Sequence, residues 1–133
     1  MPASPTKKVI TSSEVPQPIG PYSVAIQVGN LIYTSGQTGL DPRSGNLVPG
    51  GIEPETRQVL TNLQHVLESA GSGLSQVVKT TVFLKDMADF VRMNAIYAEF
   101  FPSNPPARTT VAAAALPKGG SVEIEAVALG PQA

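Results

Sequence analysis

The run Ser121-Val122-Glu123-Ile124-Glu125-Ala126-Val127-Ala128 constrains this chain more than any other. Apolar residues alternate with two carboxylates, as in a strand whose successive side chains point to opposite faces. Glu123 and Glu125 share one face, roughly 7 Å apart by the rise of a strand. A charge inside an otherwise apolar strand costs free energy unless it is paired or put to use. Upstream, Pro105-Pro106-Ala107-Arg108-Thr109-Thr110-Val111 sets an arginine where a second apolar strand begins, and Leu116-Pro117-Lys118-Gly119-Gly120 turns between the two. The planar fork of arginine fits a carboxylate at two points. An arginine and a glutamate converging on one pocket would suit holding a small acid and steering a water. The sequence leaves open whether the turn joins neighbouring strands or crosses another.

Composition narrows the class. The 133 residues suit one domain, 1–133, and with 41% hydrophobic and 14% charged residues the chain can build a core. The nine Lys and Arg residues are scattered and the net charge is -1, whereas a nucleic-acid surface needs a concentrated basic face, so no nucleic-acid partner is expected. No apolar run approaches the roughly 18 residues of a membrane span, so no membrane partner is expected either. Residues Met1 to Lys8 lack the apolar stretch of a secretory signal and the arginines of a transit peptide. The expected compartment is cytoplasmic, with the mitochondrion the alternative for a eukaryotic source. The chain has no cysteine, which excludes disulfides, thiolate nucleophiles and cysteine metal sites. His65, the single histidine, cannot form a histidine metal cluster alone, and no metal is expected.

Periodicity supplies the elements. Val24-Ala25-Ile26-Gln27-Val28 and Leu31-Ile32-Tyr33-Thr34-Ser35 flank a two-residue Gly29-Asn30 turn, which reads as a hairpin. Residues 38 to 51 are rich in Gly and Pro and read as a loop. From about Glu53 to Ala70 the period becomes helical, with Val59, Leu60, Leu63, Val66, Leu67 and Ala70 on one stripe. Pro54 fits the first turn and Gly71 the position past the end. Val77 to Leu84 is β-branched and apolar, a strand. Asp86 resembles the cap of a helix from Met87 to Phe101, with Phe90, Asn94, Tyr97 and Phe101 on one face and Pro102 as its stop. The last strands run roughly from Thr109 to Ala114 and from Ser121 to Leu129, and Val9-Ile10 suits an extra one. The expectation is an α+β domain, a mixed sheet of about six strands with two helices on one face. The other face would carry Val77, Phe83 or similar residues and call for a partner, hence a homo-oligomer.

Five segments, in this order, resemble the RidA/YjgF reactive-intermediate deaminase family: Ile19-Gly20-Pro21-Tyr22-Ser23, Tyr33-Thr34-Ser35-Gly36-Gln37, Val78-Lys79-Thr80-Thr81-Val82, Pro106-Ala107-Arg108, and Ala115-Leu116-Pro117-Lys118 followed by Val122-Glu123-Ile124-Glu125-Ala126. The likeness runs from about Val9 to Leu129. It implies a chorismate-mutase-like fold and a homotrimer with sites in clefts between subunits. It further implies cofactor-free hydrolysis of enamines and imines of short amino acids, such as 2-aminoacrylate, to 2-keto acids and ammonia. The implied site positions are Tyr22, Ser35, Gly36, Asn94, Arg108, Thr110 and Glu123. Arg108 would anchor the substrate carboxylate and Glu123 would position the water. Bacterial relatives often carry cysteine where this chain has Thr110, so a thiol contribution is absent. Inactive branches tend to lose the arginine that this chain keeps.

Each position also has a plainer explanation. Arg108 can cap a strand at the surface, Gly36 can punctuate one, Tyr22 can be a half-buried packing residue, and Asn94 can clamp neighbouring backbone. Glu125 reads as a solvated charge or a partner for a neighbouring subunit's cation. Met87, Phe90, Tyr97 and Phe101 read as core, and His65 as surface. The rival functions are a non-catalytic module that binds small carboxylates or acts as a chaperone, and an endoribonuclease or translation inhibitor.

Overall fold

In the computed structural model, which describes residues 6–131, one mixed sheet is backed by two helices. Residues Met1 to Pro5, read above for a leader, lie outside the described part. The strands are β1 (Lys7–Ile10), β2 (Ala25–Val28), β3 (Leu31–Thr34), β4 (Gln37–Thr38), β5 (Val77–Leu84), β6 (Ala107–Ala112) and β7 (Val122–Leu129). The helices are α1 (Ile52–Ser69) and α2 (Phe90–Phe100). The order across the sheet is β1-β2-β3-β7-β5-β6, with the short β4 also on β7. Only β5 and β6 pair in parallel, because α2 carries the chain back between them, as a parallel pair requires. β5 stands between β6 and β7, so the Leu116 to Gly120 turn crosses a strand and does not join neighbours.

The apolar stripe of α1 forms as expected except at Ala70, which is half-buried and caps the helix from outside it. Val59, Leu60, Leu63, Val66 and Leu67 are all fully buried and pack on Ile32, Val82, Leu84, Val122, Ile124 and Ala128 of the sheet. Each such side chain contributes about 1.5–3 kcal/mol through burial. Gly71, at φ 79°, ends α1 where a residue bearing a Cβ would be strained. The Gly29-Asn30 hairpin forms as expected, with Gly29 at φ 57°.

Three local expectations are corrected. Val77 belongs to the core and not to the open face, because the pairing register of β5 on β7 shifts between Val77 and Lys79. Met87 is exposed, because Met87–Asp89 form a separate 3-10 turn capped by the Asp86 side chain and α2 starts only at Phe90. His65 is half-buried, with its Nδ1 enclosed and unpaired.

The face away from the helices carries Ile26, Tyr33, Val127, Phe83 and Val111 together with Glu123 and Glu125. Tyr33 and Val111 remain 46% and 42% exposed there, so this face leaves large apolar side chains open to solvent.

Candidate active site

The sequence-predicted residues fall into two groups on opposite faces of the sheet. Paired residues on neighbouring strands share a face. Arg108 pairs with Thr80, which is buried beneath α2, and Thr110 pairs with Val82 of the core. Glu123 pairs with Phe83 and alternates with the buried Val122 and Ile124, so it projects the other way. Within one chain the arginine and the glutamate do not converge.

The first group is built on α2 and β6. Asn94, Tyr97, Ala98, Phe101, Pro105 and Pro106 form a groove around Arg108. The guanidinium carbon lies 4.7 Å from the ring centre of Tyr97 and 5.5 Å from that of Phe90. Among the described residues the Arg108 side chain makes no hydrogen bond or ion pair, so aromatic faces hold it and its guanidinium donors stay free. Tyr97 Oη and Thr80 Oγ1 share a buried hydrogen bond of 2.8 Å. Burial raises the Tyr97 phenol above its ordinary range, while the Thr80 bond and the Arg108 charge pull it back. Asn94 Oδ1 and Thr110 Oγ1 are enclosed and accept no hydrogen bond from any described residue. Such orphans are uncommon inside proteins and call for a partner.

The second group lies around β4 and the start of β7. Tyr22, Gly36, Gln37, Thr38, Pro117, Lys118 and Glu123 line a cleft whose remaining wall is Gln17 with the apolar Pro16, Ile19, Val24 and Leu40. A Cβ on Gly36 would stand 2.6 Å from Glu123 Oε2, so glycine is required for the carboxylate to lie where it does. Burial, and next the charge of Glu125, push Glu123 above the ordinary carboxylate range. The exposed ring of Tyr22 stands at the mouth. Ser35 does not line this cleft. Its Oγ donates to Ser23 O at 2.6 Å and its N–H to Val24 O at 2.9 Å, which fixes the segment bearing Tyr22.

Two supporting residues were missed from the sequence. Glu55, in the first turn of α1, is buried and accepts hydrogen bonds from Ser121 N–H at 2.8 Å and Ser121 Oγ at 2.9 Å. It ties down the turn that brings Pro117 and Lys118 to the cleft. Asn62 Nδ2 donates to Leu40 O at 3.0 Å and Thr38 O at 3.4 Å, fixing the opposite wall to α1. A polar residue interrupting the apolar run of α1 was the only available signal for Asn62. Nothing local marked Glu55, whose partner is 66 residues away. No group of three or more potential metal ligands occurs among the described residues. No helix among them is long and apolar enough to cross a membrane.

A mixed sheet of this order defines a class of α+β proteins, here with a free arginine on one face and a glycine-backed carboxylate on the other. The chain belongs to the Endoribonuclease L-PSP family, also called YjgF/RidA, whose model matches residues 12–130. It is 53% identical over 123 residues to the 2-iminobutanoate/2-iminopropanoate deaminase of Mus musculus, covering 92% of this chain and 91% of that one. The fold matches RidA from the Antarctic bacterium Psychrobacter at a TM-score of 0.89 and 40% identity, over 92% of this chain and 98% of the other. It also matches E. coli TdcF, solved with bound serine, at a TM-score of 0.88 and 34% identity, over 92% and 98% of the two chains.

Proposed function

We propose that the protein hydrolyses short 2-imino acids and their enamine tautomers to 2-keto acids and ammonia. In this reading it assembles as a homotrimer, and each active site joins the Arg108 groove of one copy to the Glu123 cleft of the next. The observation that carries the reading is the placement of Arg108 and Glu123 on opposite faces of one sheet, each without an ionic partner among the described residues. Each supplies what the other lacks, and only a second copy can bring them together. The mouse relative's name gives the reaction, and serine bound to TdcF is a small amino acid with the carboxylate that Arg108 would grip.

The chemistry follows from the groups present. Arg108 binds the substrate carboxylate at two points, which fixes C2 relative to the cleft. Asn94 and Thr110 offer enclosed, unpaired oxygens beside that anchor. Glu123, backed by Gly36, accepts a proton from water as the water's oxygen bonds to C2 and the C=N π pair moves to nitrogen. The same carboxyl then returns that proton to nitrogen, giving a carbinolamine. The carboxylate next takes the proton of the new C2 hydroxyl and passes it to nitrogen, so that C=O forms, the C–N bond breaks and ammonia leaves. An enamine must first take a proton at its terminal carbon to become the imine, and the same carboxyl can deliver it. A carboxyl shifted upward by burial holds a proton at higher pH than usual, which favours both donations.

The test is to generate 2-aminoacrylate or 2-iminobutanoate in situ with a pyridoxal-dependent dehydratase and follow keto-acid formation. Wild type should accelerate it, and Arg108→Ala should lower kcat/KM by about 100-fold or more, the scale of losing one side of a buried charged contact. No acceleration by folded wild type contradicts the reading and favours a binding module. The family's endoribonuclease name motivates one parallel assay. RNA binding that weakens steeply with salt, with cleavage, would favour that alternative.

A further inference from the structure

We propose that Tyr97 is a positioning residue for Arg108, a ring platform that fixes the guanidinium without consuming any of its donors. The inference deepens the proposed function and rests on Arg108 being the carboxylate anchor. An arginine that must grip a carboxylate with two parallel N–H groups faces a conflict. A carboxylate partner that orients it also competes for those donors and neutralises its charge. The face of an aromatic ring orients the guanidinium from its flat side and leaves the edge open.

The geometry around Arg108 fits this solution. Tyr97 lies 4.7 Å from the guanidinium carbon and Phe90 5.5 Å, both from α2. Tyr97 cannot swing freely, because its hydroxyl is tied to Thr80 at 2.8 Å and its ring packs on Phe101 with centres 4.7 Å apart. Thr80 is the cross-strand neighbour of Arg108. The arginine backbone and the clamp on its platform thus sit side by side on adjacent strands, and a shift of α2 relative to β6 is resisted at the point where it would misalign the anchor. A tyrosine in the core needs only some buried hydrogen-bond partner. One that also presents its face to an otherwise unpartnered arginine has a second use.

The test is a double-mutant cycle read by binding. The probe is 2-oxobutanoate, a product of the proposed reaction that carries the same carboxylate. Its Kd is measured by calorimetry for wild type, Tyr97→Leu, Arg108→Ala and the double variant. Tyr97→Leu should weaken binding by roughly threefold to thirtyfold, the span of a cation–π contact from exposed to desolvated. Tyr97→Phe, which keeps the ring, should recover most of that loss. In the Arg108→Ala background Tyr97→Leu should have almost no further effect, because there is no guanidinium left to place. In turnover, Tyr97→Leu should raise KM more than it lowers kcat, as expected for a contact made equally in the ground and transition states. Equal losses in both backgrounds would overturn the inference and reduce Tyr97 to a core residue, with the anchor reading intact. Undiminished binding by Arg108→Ala would instead remove the anchor reading itself. Should Tyr97→Leu not fold, Phe90→Leu at the half-buried second ring runs the same cycle and is decided by the same coupling.

Discussion

Gly36 and Glu123 occupy one another's space: a Cβ at position 36 would lie 2.6 Å from Oε2, 2.8 Å from Cδ and 2.9 Å from Cγ of the glutamate. The backbone of Gly36 is not in the left-handed region, so space and not strain demands the glycine. The clashing atoms are the far end of a flexible side chain, which can swing aside. Gly36→Ala should therefore cost about 1 kcal/mol in stability, the low end for overpacking. It should nevertheless lower kcat by about 100-fold, because the carboxylate is displaced by an ångström or more. Urea unfolding and steady-state kinetics on one preparation check both halves.

The raised pKa of Glu123 has two causes, burial first and Glu125 second. If Glu123 must be ionised to take a proton from water, kcat/KM rises with pH along a limb set by that group. Glu125→Gln removes the second cause and should move the limb to lower pH, still above the ordinary carboxylate value because burial remains. A pH profile of both proteins checks this.

The same shift fixes a sign for stability. A carboxyl whose folded value exceeds its unfolded one binds its proton more tightly when folded. The contribution of Glu123 to stability is therefore fully present below about 4.5, the unfolded value, and is lost as pH rises through the folded value. Glu123→Gln, always neutral, should melt at a higher temperature than wild type at pH 7, and the gap should close as pH falls toward 4.5. An inactive variant more stable than the enzyme would show that the carboxylate is held against its preference. Melting curves at a single chain concentration at several pH values check it.

Glu55 accepts two hydrogen bonds from Ser121 while buried. Glu55→Ala leaves an enclosed backbone N–H and a hydroxyl without partners, a loss of about 2–4 kcal/mol. Because the freed turn carries Pro117 and Lys118 to the cleft, KM should rise as well. Glu55→Gln keeps one acceptor and should recover part of both effects.

The elements were legible in the sequence because each obeys a local rule. The stripe of α1, the Gly29-Asn30 hairpin and the alternation of β7 need only spacing. The faces of Arg108 and Glu123 were not legible, because they depend on β5 entering between β6 and β7 and on the register it takes with each. Val77 was misplaced by a bulge, and Met87 by a 3-10 turn where a continuous helix was expected. Gly36 was legible as a close approach but not its object, since β4 and β7 are distant in the chain and adjacent in the sheet. The free donors of Arg108 and its ring platform emerge only once α2 lies over β6. The likeness to the family named the site residues, and the fold divides them into two halves.

In the proposed trimer a working site takes its arginine from one chain and its glutamate from another. Arg108→Ala and Glu123→Ala should each be inactive alone. Unfolded together in equal amounts and refolded, they should recover roughly a quarter of the wild-type rate, because one interface in four then unites an intact Arg108 with an intact Glu123. A mixture as inactive as its parts, with exchange of chains demonstrated by mass, would contradict the account.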